Sequence, residues 1–465
     1  MKKIAFFCIP AHGHTNPMLP VASELVKRGD NVRFYSFSEF EKKIRATGAE
    51  FISCDSYLPE LSQEEEKKIK SVSVTEMSIQ DIRITLAMDS FLDDEFKSFK
   101  PDVVYTDSAC FWGKLNAIKH NVPIVVSTST FAFNQMSSQY MKSKPSELAD
   151  MILGLPRASK ELKKLEPYGY HVKSYLSLVR NDNDTDTVVY TSRYFQPYEE
   201  TFNSRYAFVG PSVFSNKKPD KKKERPLVYI SMGTVINDRP DFYSKCIDAL
   251  KGENVDVIIS CGRSVDLSSF GALPDNIKVY PYVDQLDILS SADVFITHCG
   301  MNSVSESLYM AAPMVLYPQT NEQYAVAART KEIGAGVMLT DDSANGIRTA
   351  VNEILANSDY ANAAIKCSNN FRSCTGAKGA ADHIENAPHS CDDVNIIDTI
   401  NKASSKFQAI YWALIIAMIV LIVLVFHWKY VWIIGVAAGI ISIPISKAYT
   451  KKKYEKLAAA YRSKE

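Results

Sequence analysis

The chain has 465 residues, 46% of them apolar and 23% charged, and its 53 Lys+Arg balance 53 Asp+Glu to a net charge of zero. This length predicts two to three domains with a large buried core, and the composition excludes a disordered or fibrous chain and gives no sign of a nucleic-acid partner. The nine cysteines are odd in number and hold no C-x-x-C pair, which points to reduced thiols in a cytosolic compartment and shows no zinc ligand set.

In chain order, Lys3–Ile9 is an apolar run of buried-strand length. It is too short for a signal peptide and is broken by Pro10-Ala11-His12-Gly13-His14. A loop over Pro10–Thr15 is expected next, then a helix capped by Asn16 with Pro17 in its first turn and ended by Gly29. Asn31–Phe37, Val103–Thr106 and Pro123–Val126 read as strands, with a helix over Cys110–His120. Residues 55–100 and 130–185 read as helix-rich segments suited to covering a cleft. The stretch Lys217–Pro226 is basic, proline-containing and free of apolar residues, hence a linker. After it the alternation restarts, with strands at Leu227–Met232, Val255–Cys261, Ile277–Tyr280, Val294–Thr297, Met314–Tyr317 and Gly336–Leu339. Two such sets predict two doubly wound α/β domains facing each other across a cleft.

The composition then changes. Ala409–Phe426 is 18 residues without a charge and Tyr430–Ser446 another 17, each near the ~17–25 residues that span a bilayer. Tyr411, Trp412, Trp428, Tyr430 and Trp432 mark their ends as interfacial aromatics, and the basic tail from Lys447 puts both ends of the hairpin in the cytosol. The expected layout is an N-terminal domain over 1–215, a linker over 216–226, a second domain over 227–387, a linker over 388–407, a transmembrane helical hairpin over 408–447 and a basic cytosolic tail over 448–465. This places the protein at the membrane, its catalytic domains facing the cytosol.

The chemistry concentrates at His298-Cys299-Gly300-Met301-Asn302-Ser303, which follows a strand and opens a helix. Backbone N–H groups at a helix start form an anion site, Gly300 lets the backbone approach closely, and His298 and Ser303 add donors. A diphosphate suits this site. Glu306, one turn beyond Asn302, can accept two hydrogen bonds from a ribose diol, and Glu322-Gln323 suit sugar hydroxyls. In the N-terminal half, His14 lies at the C-terminal end of the first strand, where α/β sheets place ligands, and Asp107 ends a later strand. Either residue could instead cap the helix that follows it.

Taken together, H-C-G-M-N-S-x-x-E, then A-A-P, then P-x-x-x-E-Q resembles the donor site of the inverting UDP-sugar-dependent glycosyltransferases, and is most similar to their bacterial macrolide branch. The resemblance spans roughly residues 3–385. It implies a GT-B fold of two facing Rossmann-like domains. The implied co-substrate is a UDP-sugar, with no cofactor and no metal, and the implied acceptor is a small hydroxylated molecule, which the membrane expectation makes lipophilic. It implies diphosphate contacts from His298, Gly300, Asn302 and Ser303, ribose binding by Glu306, and sugar binding by Glu322 and Gln323. Ser231-Met232-Gly233-Thr234 matches the family's donor loop, assigning Ser231, Gly233 and Thr234 to donor binding. Tyr282-Val283-Asp284-Gln285 matches the uracil-holding segment through Tyr282, Val283 and Gln285. Tyr282 stands where tryptophan is common, Asp284 where proline is, and Ala312 replaces a frequent glycine. The same resemblance makes His14 the general base and Asp107 its orienting carboxylate. The transferred sugar is then a hexose, with glucose expected.

Other readings stay open. A UDP-GlcNAc 2-epimerase-like isomerase would also bind UDP, as would a non-catalytic UDP-sugar-binding membrane protein. Asp182-Asn183-Asp184-Thr185-Asp186 resembles the start of a calcium loop, but Thr187 and Arg193 stand where that loop needs Gly and Glu. Asn183-Asp184-Thr185 is a glycosylation sequon with no use in a cytosolic domain.

Overall fold

The computed structural model describes residues 1–59, 73–142, 145–172, 185–213, 217–220, 224–233, 237–390, 402, 404–417 and 432–462. Two parallel sheets organise the chain up to Ser390. The first contains β1 (Lys3–Phe7), β2 (Asn31–Ser36), β3 (Glu50–Ser53), β4 (Val103–Asp107), β5 (Ile124–Thr128), β6 (Asp186–Val189) and β7 (Tyr206–Phe208), in the order β3-β2-β1-β4-β5-β6-β7. The second contains β8 (Leu227–Ser231), β9 (Asp256–Ser260), β10 (Ile277–Tyr280), β11 (Val294–Thr297), β12 (Met314–Leu316) and β13 (Gly336–Met338), in the order β10-β9-β8-β11-β12-β13.

Each strand is a short apolar run because helices cover both faces of a parallel sheet. Ile4, Phe6 and Phe7 on β1 and Val103, Val104 and Tyr105 on β4 are buried, with Phe6 packed edge-on against Tyr105 at 4.9 Å between ring centres. Val228, Ile230, Ile259, Val294, Ile296 and Val315 do the same for the second sheet. The eight cysteines among the described residues are free thiols, all but Cys374 buried.

Three strands, β3, β6 and β7, went unread in the sequence. β6 begins at Asp186, inside the stretch that resembled a calcium loop; Asn183 and Asp184 lie outside the described residues. The first helix also starts earlier than expected. It runs His12–Lys27 with Ala11 as N-cap, so His14 lies in its first turn and Pro17 inside it.

A second unit comprises Phe133–Gln139, Tyr198–Ser204 and Cys391–Glu465. Within it, residues 404–417 and Trp432–Arg462 are helical. They meet through stacked Phe407 and Tyr449 rings at 4.3 Å and a Gln408–Ser446 hydrogen bond of 3.1 Å. Here the structure corrects the expectation of a transmembrane hairpin and of a membrane location. Among the described residues, no helix is long and apolar enough to cross a membrane. The helix over 404–417 reaches its uncharged run only at Ala409. The helix Trp432–Arg462 contains Pro444 and then Lys447, Lys451, Lys452 and Lys453. Within the described residues, neither offers the ~20 consecutive apolar residues a span needs. The centre of the expected hairpin, with Trp428 and Tyr430, lies outside the described residues.

Candidate active site

In each sheet the strand order reverses at the centre, between β1 and β4 and between β8 and β11. Ligands bind beyond the carboxyl ends of the strands at such reversals. The register pairs Phe7 with Thr106 and Thr297 with Ser231. The chain leaving β1 therefore emerges beside Asp107, and the chain leaving β11 beside Ser231.

His14 Nδ1 lies 2.9 Å from Asp107 Oδ2, the imidazole 31% exposed and the carboxylate fully buried. Neither residue caps a helix: Ala11 and Cys110 occupy the N-cap positions. Asp107 Oδ1 instead accepts from the Ala109 backbone N–H at 2.9 Å. Ser129 Oγ also approaches His14 Nδ1, at 3.3 Å. A carboxylate on Nδ1 fixes the tautomer and leaves the Nε2 lone pair for a substrate proton. Burial lowers the His14 pKa, but the Asp107 charge and hydrogen bond outweigh it, helped by Glu322 and Asp81, and raise it to about 9. Burial, with the Asp107 charge beside it, pushes the Asp81 carboxyl well above the usual range. His12 faces away and pairs with Glu39 at 2.9 Å, both exposed.

One feature of the first helix reaches the second sheet. Proline has no N–H and its ring pushes on the carbonyl four residues earlier. Pro17 therefore leaves the Gly13 carbonyl without its helical partner. That carbonyl accepts from Asn302 Nδ2 at 3.4 Å, which joins the ends of the two sheets.

On the second sheet, His298 follows β11 and is held between two glycines. A Cβ on Gly233 (φ +79°) would come within 2.5 Å of the His298 ring, and one on Gly300 within 2.6 Å. Burial lowers the His298 pKa to about 4, so the ring is neutral at physiological pH. Its Nδ1 is buried without a hydrogen-bond partner. Cys299 takes the left-handed conformation at φ +67°, a strain of the kind that collects at ligand sites. It delivers the chain into the helix Met301–Tyr309, whose N-cap, Gly300, makes no side-chain cap. The first N–H groups of this helix are thus left for an anion.

Gln285 links several of the residues expected to bind the donor. Its Nε2 donates to Ser303 Oγ at 3.3 Å and to Glu306 Oε2 at 2.6 Å, and its Oε1 accepts from Tyr229 at 3.2 Å. Burial raises the Glu306 pKa against the Gln285 hydrogen bond that lowers it. Tyr282 is 71% exposed after β10, with Val283 half-buried beside it. Asp284 caps the helix Gln285–Ser291, which accounts for an acid at this position. Ser231 is buried and accepts from the Gly233 N–H at 3.3 Å, while Thr234 lies outside the described residues. Glu322 is exposed. Gln323 has a structural duty as well, since its Oε1 accepts from the Gln319 and Thr320 N–H groups in a capping box.

Sequence reasoning missed Ser129 and Asp81.

Residues 219–373 match the family model described as UDP-glucoronosyl and UDP-glucosyl transferase. The NDP-glycosyltransferase YjiC of Bacillus licheniformis is 34% identical over 83% of this chain and 97% of its own length. The chain belongs to this glycosyltransferase family. As a family member it is an enzyme that transfers a hexose from a UDP-sugar to a small-molecule acceptor. The demethyllactenocin mycarosyltransferase of Streptomyces fradiae is 29% identical over 72% of this chain and 75% of its own. The crystal structure of the glycotransferase of kitacinnamycin superposes with a TM-score of 0.68 at 24% identity, covering 83% of this chain and 98% of that one. That likeness supports the two-domain GT-B fold.

Proposed function

We propose that this glycosyltransferase moves glucose from UDP-glucose to a hydroxyl of a small lipophilic acceptor, with inversion at the anomeric carbon and His14 as general base. The observation that carries this reading is the His14–Asp107 pair at 2.9 Å, tied through Gly13 and Asn302 to the uncapped start of the helix Met301–Tyr309. His14 Nε2 takes the acceptor's hydroxyl proton as the oxygen attacks the anomeric carbon from the face opposite UDP. The C–O bond to the diphosphate breaks, and its charge is met by the N–H groups of Met301, Asn302 and Ser303 and by His298. Glu306, one oxygen held by Gln285, receives the ribose diol. Tyr282 stacks on the uracil, and Ser231, Gly233 and Thr234 line the donor loop. Glu322 and the Gln323 amide N–H bind the sugar hydroxyls.

The choice of glucose rests on the family's description, since the Streptomyces relative is named for a different sugar. The lipophilic acceptor rests on the apolar packing of the helices Val74–Ala87 and Pro145–Leu162, which meet through Ile79, Leu155 and Ala158; the first of these helices also carries Asp81. The test is UDP-glucose incubated with a panel of phenols, sterols and macrolides, read as glycosylated mass. We expect His14→Ala to cost about 10²–10⁴-fold in kcat/KM with UDP affinity unchanged. Undiminished turnover in that variant, or an isomeric sugar nucleotide as the product, would overturn the assignment.

A further inference from the structure

A cluster far along the chain from the catalytic pair has no part in sugar transfer. Asp186 at the start of β6, His383 in the helix Gly376–Glu385 and His389 just beyond that helix each offer a ligand atom, and the three atoms lie within 4.8 Å of one another. Asp186 and His383 are buried and His389 is half-buried. The two imidazoles lie face to face, with ring centres 4.0 Å apart, so the His389 ring must turn about its side-chain bonds before both in-plane lone pairs meet at one ion.

The hydrogen bonds around these groups hold two of the three, His383 and Asp186, in place and leave the His389 ring to turn. His383 Nε2–H donates to the Arg205 carbonyl at 3.0 Å, which places the lone pair on Nδ1. Metal-binding histidines usually anchor their second nitrogen in this way. Asp186 Oδ1 is held by Arg205 Nη1 at 3.3 Å, and Oδ2 accepts from the His389 backbone N–H at 2.9 Å. His389 Nδ1 is buried and makes no hydrogen bond, although it stands 3.3 Å from Asp186 Oδ2. A packed core histidine would normally satisfy that nitrogen.

We propose that Asp186, His383 and His389 form a binding site for a divalent transition metal of the zinc class, which fastens the returning C-terminal segment to β6. Two imidazoles and one carboxylate suit zinc, with water as the fourth ligand. Such a donor set disfavours magnesium and calcium, which take oxygen ligands. Arg205 lies close enough to offset part of the Asp186 charge, so affinity falls short of that of a site with a free carboxylate. The metal joins residues almost 200 positions apart in sequence and acts on stability, not on the sugar-transfer step.

The experiment uses full-length protein stripped with EDTA and titrated with ZnCl₂ and, separately, CoCl₂. We expect one zinc per chain, a rise in melting temperature of at least about 2 °C at saturation, and a cobalt absorption band of tetrahedral type. His389→Gln and Asp186→Asn should each weaken zinc binding by at least tenfold. His12→Gln, at the exposed pair with Glu39, should leave it unchanged. X-ray absorption on zinc-loaded wild-type protein keeps the test independent of whether a variant folds, and should count two imidazole nitrogens at about 2.0 Å. Fewer than two imidazoles in that spectrum, no stoichiometric uptake, or uptake undiminished in His389→Gln would show the cluster to be a hydrogen-bonded fastening without metal.

Discussion

At the scale of single residues, the proposed chemistry turns on the proton that His14 shares with Asp107. A base must be unprotonated to act, and His14 is held at about 9. At pH 7 only about one molecule in a hundred then carries the free base, and kcat/KM should climb with pH up to about 9. Replacing the partner reverses the balance. Asp107→Asn removes both the charge and the charged hydrogen bond that raise the pKa and leaves the burial that lowers it. The rising limb should therefore move to below the ordinary histidine value of about 6.5, while the maximal rate falls because the wrong tautomer is favoured. A pH–rate profile of the variant with its limb still near 9 would remove Asp107 from the pair. The histidine and aspartate were legible in the sequence because His14 sits in the loop motif that follows the first strand and Asp107 ends a later one. Ser129 and Asp81 were not, since their approach to His14 depends on how β5 and the helix Val74–Ala87 come to lie beside β1, which no local pattern encodes.

At the scale of elements, strands were easier to read than helix starts. All ten of the expected strands matched to within two residues at each end because buried parallel strands are short apolar runs. The three unread strands are brief, of four, four and three residues, too short for an apolar run to stand out. The Asn16-Pro17 dipeptide looked like a helix start because proline is common in a first turn, yet the helix begins at His12. The misplaced boundary has a functional reading. Pro17→Ala restores an N–H that can reclaim the Gly13 carbonyl, so Asn302 should lose its acceptor. Stability should hold or rise, since proline inside a helix is costly, while kcat/KM falls several-fold. Asn302→Ala should act through the same contact, so the double variant should be little worse than either single one. Additive losses in that cycle would mean that the two residues act independently.

At the scale of the whole molecule, two uncharged runs suggested a membrane hairpin because composition counts residues along a line. Among the described residues, the second run contains Pro444 and is followed at once by Lys447, and no helix is long and apolar enough to cross a membrane. Up to Ser390 the chain is stitched together differently. The helix Gly376–Glu385 returns to the first sheet, where Ala380, Ala381 and Ile384 complete the apolar core built by β1 and β4. Its polar edge is gripped by Arg28, whose guanidinium reaches Asp382 at 2.6 Å, Glu385 at 2.5 Å and the Lys378 carbonyl at 3.1 Å. Lys2 adds a bond of 2.5 Å to the Glu385 carbonyl. Half-exposed ion pairs are worth about 0–1 kcal/mol each, so Arg28→Ala should lower the melting temperature by about 2–4 °C and leave the buried contacts in place. Because the lost contacts are charged and near solvent, 1 M NaCl should shrink the gap between variant and wild type. A gap that survives high salt unchanged would move the credit from charge to the packing of the Arg28 stem against the returning helix.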